Sequence, residues 1–133
     1  MKKGMLLLMV FVLLAALLAG CGGSDNTIQN CIVANESYTT QSNLQAAAQP
    51  ESLAKSNPVY VSVHIIESPK GTEYTVKWYL DDTEIKSETK ATQKDTQDII
   101  VYALDAENVA VGTLKVDIAY KNTVLFSRAL PVE

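Results

Sequence analysis

The chain has 133 residues with fifteen acidic and eleven basic side chains, two cysteines and one histidine. That length supports one folded domain rather than two. The formal net charge of −4 becomes −6 once Lys2 and Lys3 are set aside, which argues against nucleic acid as a partner and against a polybasic membrane patch.

Lys2 and Lys3 precede an unbroken apolar run from Met5 to Ala19. A charged start followed by an apolar stretch of that length is the pattern of a secretory signal. The run is shorter than the roughly 20 residues a transmembrane helix needs. Leu18-Ala19-Gly20-Cys21 then matches the lipobox of bacterial lipoproteins, in which a leucine and two small residues precede a cysteine. The resemblance implies that residues 1–20 are a removed signal peptide and that the Cys21 sulfur carries a diacylglyceryl group, with the freed amine often acylated as well. Two or three acyl chains anchor a protein far more firmly than the marginal binding of one. The expected place is the cell membrane or outer membrane, facing out of the cytoplasm. Gly22 and Gly23 carry no aspartate retention signal, which favours the outer membrane in a two-membrane cell.

From Gly22 to about Asn57 the composition is Ser, Thr, Asn, Gln, Gly and Ala with scattered apolar residues. No helical or strand period is sustained there, so residues 21–57 read as the lipidated cysteine and a flexible tether of roughly 30–35 Å end to end. Cys31 lies in that stretch without a partner in the chain and reads as an incidental thiol, with an intermolecular disulfide as the alternative.

Order is expected from Pro58 onward. Val59, Val61, Val63 and Ile65 alternate with Tyr60, Ser62 and His64, the period of a half-buried strand. Ser68-Pro69-Lys70-Gly71 is a turn by its chemistry. Tyr74, Val76, Trp78 and Leu80 share one face of the next strand, with Thr75, Lys77 and Tyr79 on the other. Asp81-Asp82-Thr83 reverses the chain into a short polar strand around Glu84 to Lys86, and a polar stretch follows from Ser87 to Asp98. Ile99–Leu104 is a strand whose inward face the sequence leaves ambiguous. Leu114, Val116, Ile118 and Tyr120 alternate along another strand, Lys121-Asn122 turns, and Val124 to Val132 closes the domain. Six short strands without a long amphipathic helix predict an all-β sandwich over 58–133, with Trp78 at the centre of its core.

Two segments sharpen that reading. Val76-Lys77-Trp78-Tyr79-Leu80-Asp81-Asp82-Thr83-Glu84-Ile85 resembles the strand, turn and strand of immunoglobulin-like bacterial modules. Val111 to Val116, followed by Tyr120-Lys121-Asn122 and Leu130-Pro131-Val132, is similar to their closing hairpin. Leu114 stands where an aromatic is common, and Asn122 stands where a glycine is usual. The resemblance implies a small antiparallel sandwich of six to seven strands serving adhesion, ligand binding or assembly.

A catalytic constellation is not visible. His64 falls on the outward face of its strand and reads as an exposed histidine with no second histidine to complete a zinc site. Asp81, Asp82 and Glu84, or Asp105 and Glu107, offer carboxylates without the spacing of a calcium loop. No glycine loop suited to phosphate occurs. The expectation is therefore no enzyme, no metal and no cofactor. Tyr60 and Tyr79 both point away from the Trp78 face, and as outward tyrosines on neighbouring strands they are the candidate stacking residues. The sequence thus leads to a lipid-anchored, non-catalytic module that binds or scaffolds an envelope protein or glycan. The alternatives are an envelope hydrolase or metal-dependent enzyme, and an accessory subunit of a larger envelope complex.

Overall fold

The computed structural model describes residues 27–133; residues 1–20, expected to be a signal peptide, and Cys21 lie outside them. Strands β1 (Ile28–Ala34), β2 (Val59–Ser68) and β5 (Thr96–Leu104) form a three-stranded sheet in the order β1-β2-β5. Strands β3 (Glu73–Leu80), β4 (Thr83–Ala91), β6 (Gly112–Tyr120) and β7 (Thr123–Val132) form a second sheet in the order β4-β3-β6-β7. All strand pairs are antiparallel. The chain is thus an immunoglobulin-like sandwich in which the second strand pairs with the first and fifth, and the third with the fourth and sixth. A one-turn helix, α1 (Gln41–Ala46), and a short 3-10 turn at Ala106–Asn108 are its helical parts among the described residues.

The alternating residues pack as their period predicts. Val59, Val61, Val63 and Ile65 from β2 meet Val76 and Trp78 from β3 and Val116 and Ile118 from β6, all fully buried. In β5 the inward residues are Ile100, Tyr102 and Leu104, which settles the face that the sequence leaves open. The Tyr102 hydroxyl donates to the Tyr74 carbonyl at 2.7 Å, so its polar end is satisfied inside the core. Both hairpin turns have two residues with positive φ: Asp81 and Asp82 at 48° and 71°, Lys121 and Asn122 at 47° and 70°. These are type I′ turns, whose twist suits a hairpin.

Residues 28–57 correct the tether reading. β1 pairs with β2 from Ile28↔Ile65 to Ala34↔Tyr60 and is covered on both faces. Cys31 and Val33 enter the core, while Ile32 and Ala34 pack under Leu44 of α1. A strand buried on both sides has no polar alternate, so it shows no period of two. The segment from Asn35 to Asn57 is a strap across the three-stranded sheet. Asn35 bonds the backbone at Ala54 and Pro58, Tyr38 N–H donates to Ser62 Oγ at 2.9 Å, and Leu53 pairs in parallel with Val132. β4 also runs further than the sequence suggests, to Ala91, because an edge strand tolerates polar residues on both faces.

The open sides of the sandwich are sealed by side chains. On the inward face of edge strand β4, Lys86, Glu88 and Lys90 lie opposite Trp78, Val76 and Tyr74. Lys86 Nζ donates to the Ala103 carbonyl at 2.6 Å and Lys90 Nζ to the Val101 carbonyl at 2.7 Å, both on edge strand β5. On the other side Arg128 of β7 donates to the Cys31 carbonyl at 3.0 Å and to Gln49 Oε1 at 2.6 Å. The Gln49 amide in turn accepts from Val33 N–H at 2.9 Å and donates to Val33 C=O at 2.7 Å, as a neighbouring strand would.

Cys31 is therefore a core side chain and not a thiol on a tether. Burial pushes its pKa up from 9.0 to about 12, an effect that nearby Arg128 only partly offsets. Burial likewise raises the Tyr102 phenol, with Glu88 adding to the shift.

Three outcomes test this architecture. A chain starting at Pro58 lacks β1 and exposes the edge of β2, so it should lose the cooperative thermal transition that a chain starting at Thr27 shows by circular dichroism. Arg128→Ala and Gln49→Ala should each cost about 1–3 kcal/mol in urea unfolding, because each strands a partly buried polar group. The double variant should cost clearly less than the sum, since the two residues share one network. Finally, unfolded Cys31 ionises near 9 and folded Cys31 near 12, so the unfolded state holds fewer protons in between. Stability should fall as pH rises from about 9 to 12 and be insensitive to this group below 9; a Cys31→Ala protein should show a smaller alkaline loss.

Candidate binding face

The two sheets differ in what covers their outer faces. Outside the three-stranded sheet lies the strap, and it buries residues that alternation alone assigns to solvent. Ser62 and His64 are both buried, His64 at 3 % exposure. The His64 Nε2 lies 2.8 Å from Gln97 Oε1 of β5, which fixes a proton on Nε2 if the ring is neutral. His64 is thus a strapped-over side chain and not the exposed histidine expected.

Among the described residues, the outer face of the four-stranded sheet carries no such cover. The pleat places Thr75, Lys77 and Tyr79 of β3 beside Lys115, Asp117 and Ala119 of β6, in the register Thr75↔Ala119, Lys77↔Asp117 and Tyr79↔Lys115. Thr89 of β4 lies opposite Thr75, their hydroxyls 2.7 Å apart, and Ser127 of β7 donates to Asp117 Oδ1 at 2.6 Å. Lys115 Nζ sits 4.7 Å from the centre of the Tyr79 ring, a cation–π contact. The turns at Gly71-Thr72 and Lys121-Asn122 close one end. Between them is an open trough of about 620 Å³, a size that holds a small ligand or a short polymer segment.

The trough has hydroxyls, amines and the carboxylates of Glu73 and Asp117, with the rings of Tyr79 and Tyr120 among them. Such a set can hydrogen-bond and stack; it does not converge titratable groups on one point. Among the described residues no group of three His, Cys, Asp or Glu is placed to hold a metal ion.

Tyr79 lies in this trough and Tyr60 does not. Tyr60 is on β2 and Tyr79 on β3, so they belong to different sheets and face opposite sides of the sandwich. The shared stacking platform expected of neighbouring strands fails because the chain crosses from one sheet to the other at Pro69–Thr72. Tyr60 stands between Ala34 and Ala103, half-buried. Lys77 and Asp117, which line the trough, and Lys115, which lies over the Tyr79 ring, were readable as outward residues, but nothing in the sequence marked their strands as neighbours. Cys21 lies outside the described residues.

No family model matches the sequence, and no curated protein matches it either. Among solved structures, the fold is similar to an immunoglobulin-like protein from Pseudomonas aeruginosa, with 10% identity, 84% of this chain and 100% of that chain covered, and a TM-score of 0.48. It is also similar to the CARDB domain of a Pyrococcus furiosus protein solved in complex with di-metal ions, with 9% identity, coverage of 82% and 96%, and a TM-score of 0.40. At these identities no residue role passes from those proteins to this chain.

Proposed function

We propose that this protein is a lipid-anchored, non-catalytic module of the bacterial cell envelope that binds a glycan along the outer face of its four-stranded sheet. The observation that supports the binding face is the contrast between the two sheets: among the described residues one outer face is strapped over, and the other is left as an open trough around Tyr79. A polyhydroxylated ligand suits it. Thr75, Thr89, Lys77 and Asp117 offer donors and acceptors at the spacing of a pleated surface, and Tyr79 offers a ring that Lys115 can uncover by rotating its flexible side chain. The anchoring half of the reading rests on the lipobox and the apolar leader.

Detergent-extracted protein titrated with purified envelope polysaccharides, followed by backbone amide NMR shifts, tests both halves. Shifts should gather on Thr75, Lys77, Tyr79, Lys115 and Asp117. Tyr79→Ala should weaken binding at least tenfold, about 1.4 kcal/mol, while leaving the melting temperature within about 2 °C because the ring lies outside the core. Cys21→Ser should abolish the lipid mass at the mature N-terminus. Shifts confined to the Tyr60 side, or a Tyr79→Ala protein that binds normally, would overturn the assignment of the face.

A further inference from the structure

Strand register puts the chain's entry and its acidic residues at opposite ends of the sandwich. β1 enters at Ile28 beside Ile65, at the end formed by the loops 69–72 and 92–95 and the turn 121–122. These loops are tied to each other: Gly71 N–H donates to Thr92 C=O, Thr92 N–H to Thr72 C=O, and Lys70 N–H to Asp95 Oδ1. This end balances its charge, with Lys70, Lys90, Lys94 and Lys121 against Glu67, Glu73, Asp95 and Asp98. Asp95 and Asp98 are engaged on backbone N–H groups, Glu67 and Glu73 are exposed on the strands behind, and Lys70, Lys94 and Lys121 are exposed at the loop tips. Val124 is 52 % exposed beside them. The opposite end carries Asp81, Asp82, Glu84, Asp105, Glu107 and Glu133, answered by Lys55 and by Lys115, which stands across Tyr79 from Glu84. The acidic excess of the chain therefore sits at one pole.

We infer that the loop end at 69–72, 92–95 and 121–122 is a docking surface for anionic phospholipid headgroups, and that the domain stands on its own membrane with the acidic pole outward. The inference rests on the lipidation of Cys21. Only residues 22–27 separate Cys21 from β1, and six residues reach at most about 20–22 Å. Strands of nine or ten residues make the sandwich about 30 Å long. With Cys21 held at the lipid surface, the acidic pole cannot be turned down, because the entry end would then be lifted beyond the reach of the chain. Lying flat is within reach but brings six carboxylates toward an anionic surface. Standing upright moves them several Debye lengths away, about 8 Å each at physiological salt. The loop tips then meet the headgroups with lysines, and the trough, with Val124 in its lining, opens sideways just above the membrane.

The test uses the full lipidated chain, reconstituted into vesicles of phosphatidylglycerol and phosphatidylethanolamine. Single cysteines are introduced by Gln93→Cys at the loop end or Glu107→Cys at the acidic pole and labelled with a fluorophore; buried Cys31 is shielded from the reagent. Quenching by lipids spin-labelled at the headgroup should be at least fivefold greater for the label at 93 than at 107. Reversing the charge of the three loop tips (Lys70→Glu, Lys94→Glu, Lys121→Glu) should erase that contrast, as should vesicles of phosphatidylcholine alone with the tether lengthened by about 20 Gly-Ser residues. Equal quenching at both positions, or none at either while the protein floats with the vesicles, overturns the docked orientation and leaves the anchor intact. A protein that does not float with the vesicles overturns the anchor and the orientation together. Circular dichroism of the charge-reversed variant confirms that its fold is kept.

Discussion

The sandwich depends on closing its two open sides, and it does so with inward-pointing cations. Two sheets laid face to face leave two seams where edge strands meet across a gap without a ladder to join them. In this protein the larger sheet sends Lys86 and Lys90 across one seam and Arg128 across the other, onto carbonyls of β5 and β1. A charge facing inward on an edge strand also deters pairing with another chain. The arrangement is economical because each long side chain covers apolar surface with its methylenes while its head reaches the seam. Glu88 lies within 3.8 and 3.9 Å of the two lysines and offsets one of their two charges, though these ion pairs are partly exposed and contribute little by themselves.

The seam at β1 explains why residues before Pro58 belong to the fold. β1 is an edge strand that Arg128 alone does not satisfy. Gln49 supplies the missing donor and acceptor to Val33, and the strap must lie where it does to bring Gln49 there. The position of Leu44 over Ile32 and Ala34, and of Leu53 beside Val132, then follows from one constraint. With the strap in place, Ser62 and His64 pass from solvent to interior, and among the described residues only the other sheet retains a bare face.

Where a strand has one wet face, its sequence reveals it. β2, β3 and β6 were legible residue by residue, with Trp78 at their centre, because alternation records a boundary between core and water. β1 was not, since Cys31 and Val33 on one face and Ile32 and Ala34 on the other leave no boundary to record. The strap was equally hidden, because its order comes from single side chains such as Asn35 and Gln49 bonding distant backbone, and such bonds carry no period. The trough was half legible. Outwardness of Tyr79, Lys77 and Lys115 follows from the pleat, but the assignment of Tyr60 to a different surface depends on which strands share a sheet, which local pattern does not encode.

The acidic pole is part of the fold as well as a surface charge. The type I′ turn after β3 needs two residues with positive φ, and aspartate tolerates that region better than most. Asp81 then exploits its position: its N–H donates to Thr113 C=O and its carboxylate accepts from Thr113 N–H at 2.9 Å, tying the hairpin to the start of β6. Gly112 makes room for it. A Cβ there would stand 2.8 Å from the Asp81 carboxylate oxygens, and its φ of +149° is itself a glycine conformation. The carboxylate that contributes to the charge asymmetry of the domain is thus fixed by a turn, a hydrogen bond and a glycine that cannot be exchanged independently. Charge at this pole is consequently harder to change than the charges of Lys70 and Lys94, which no positive-φ turn position fixes, whereas Lys121 at the loop end is itself held in a type I′ turn at φ 47° with its ammonium over the Tyr120 ring.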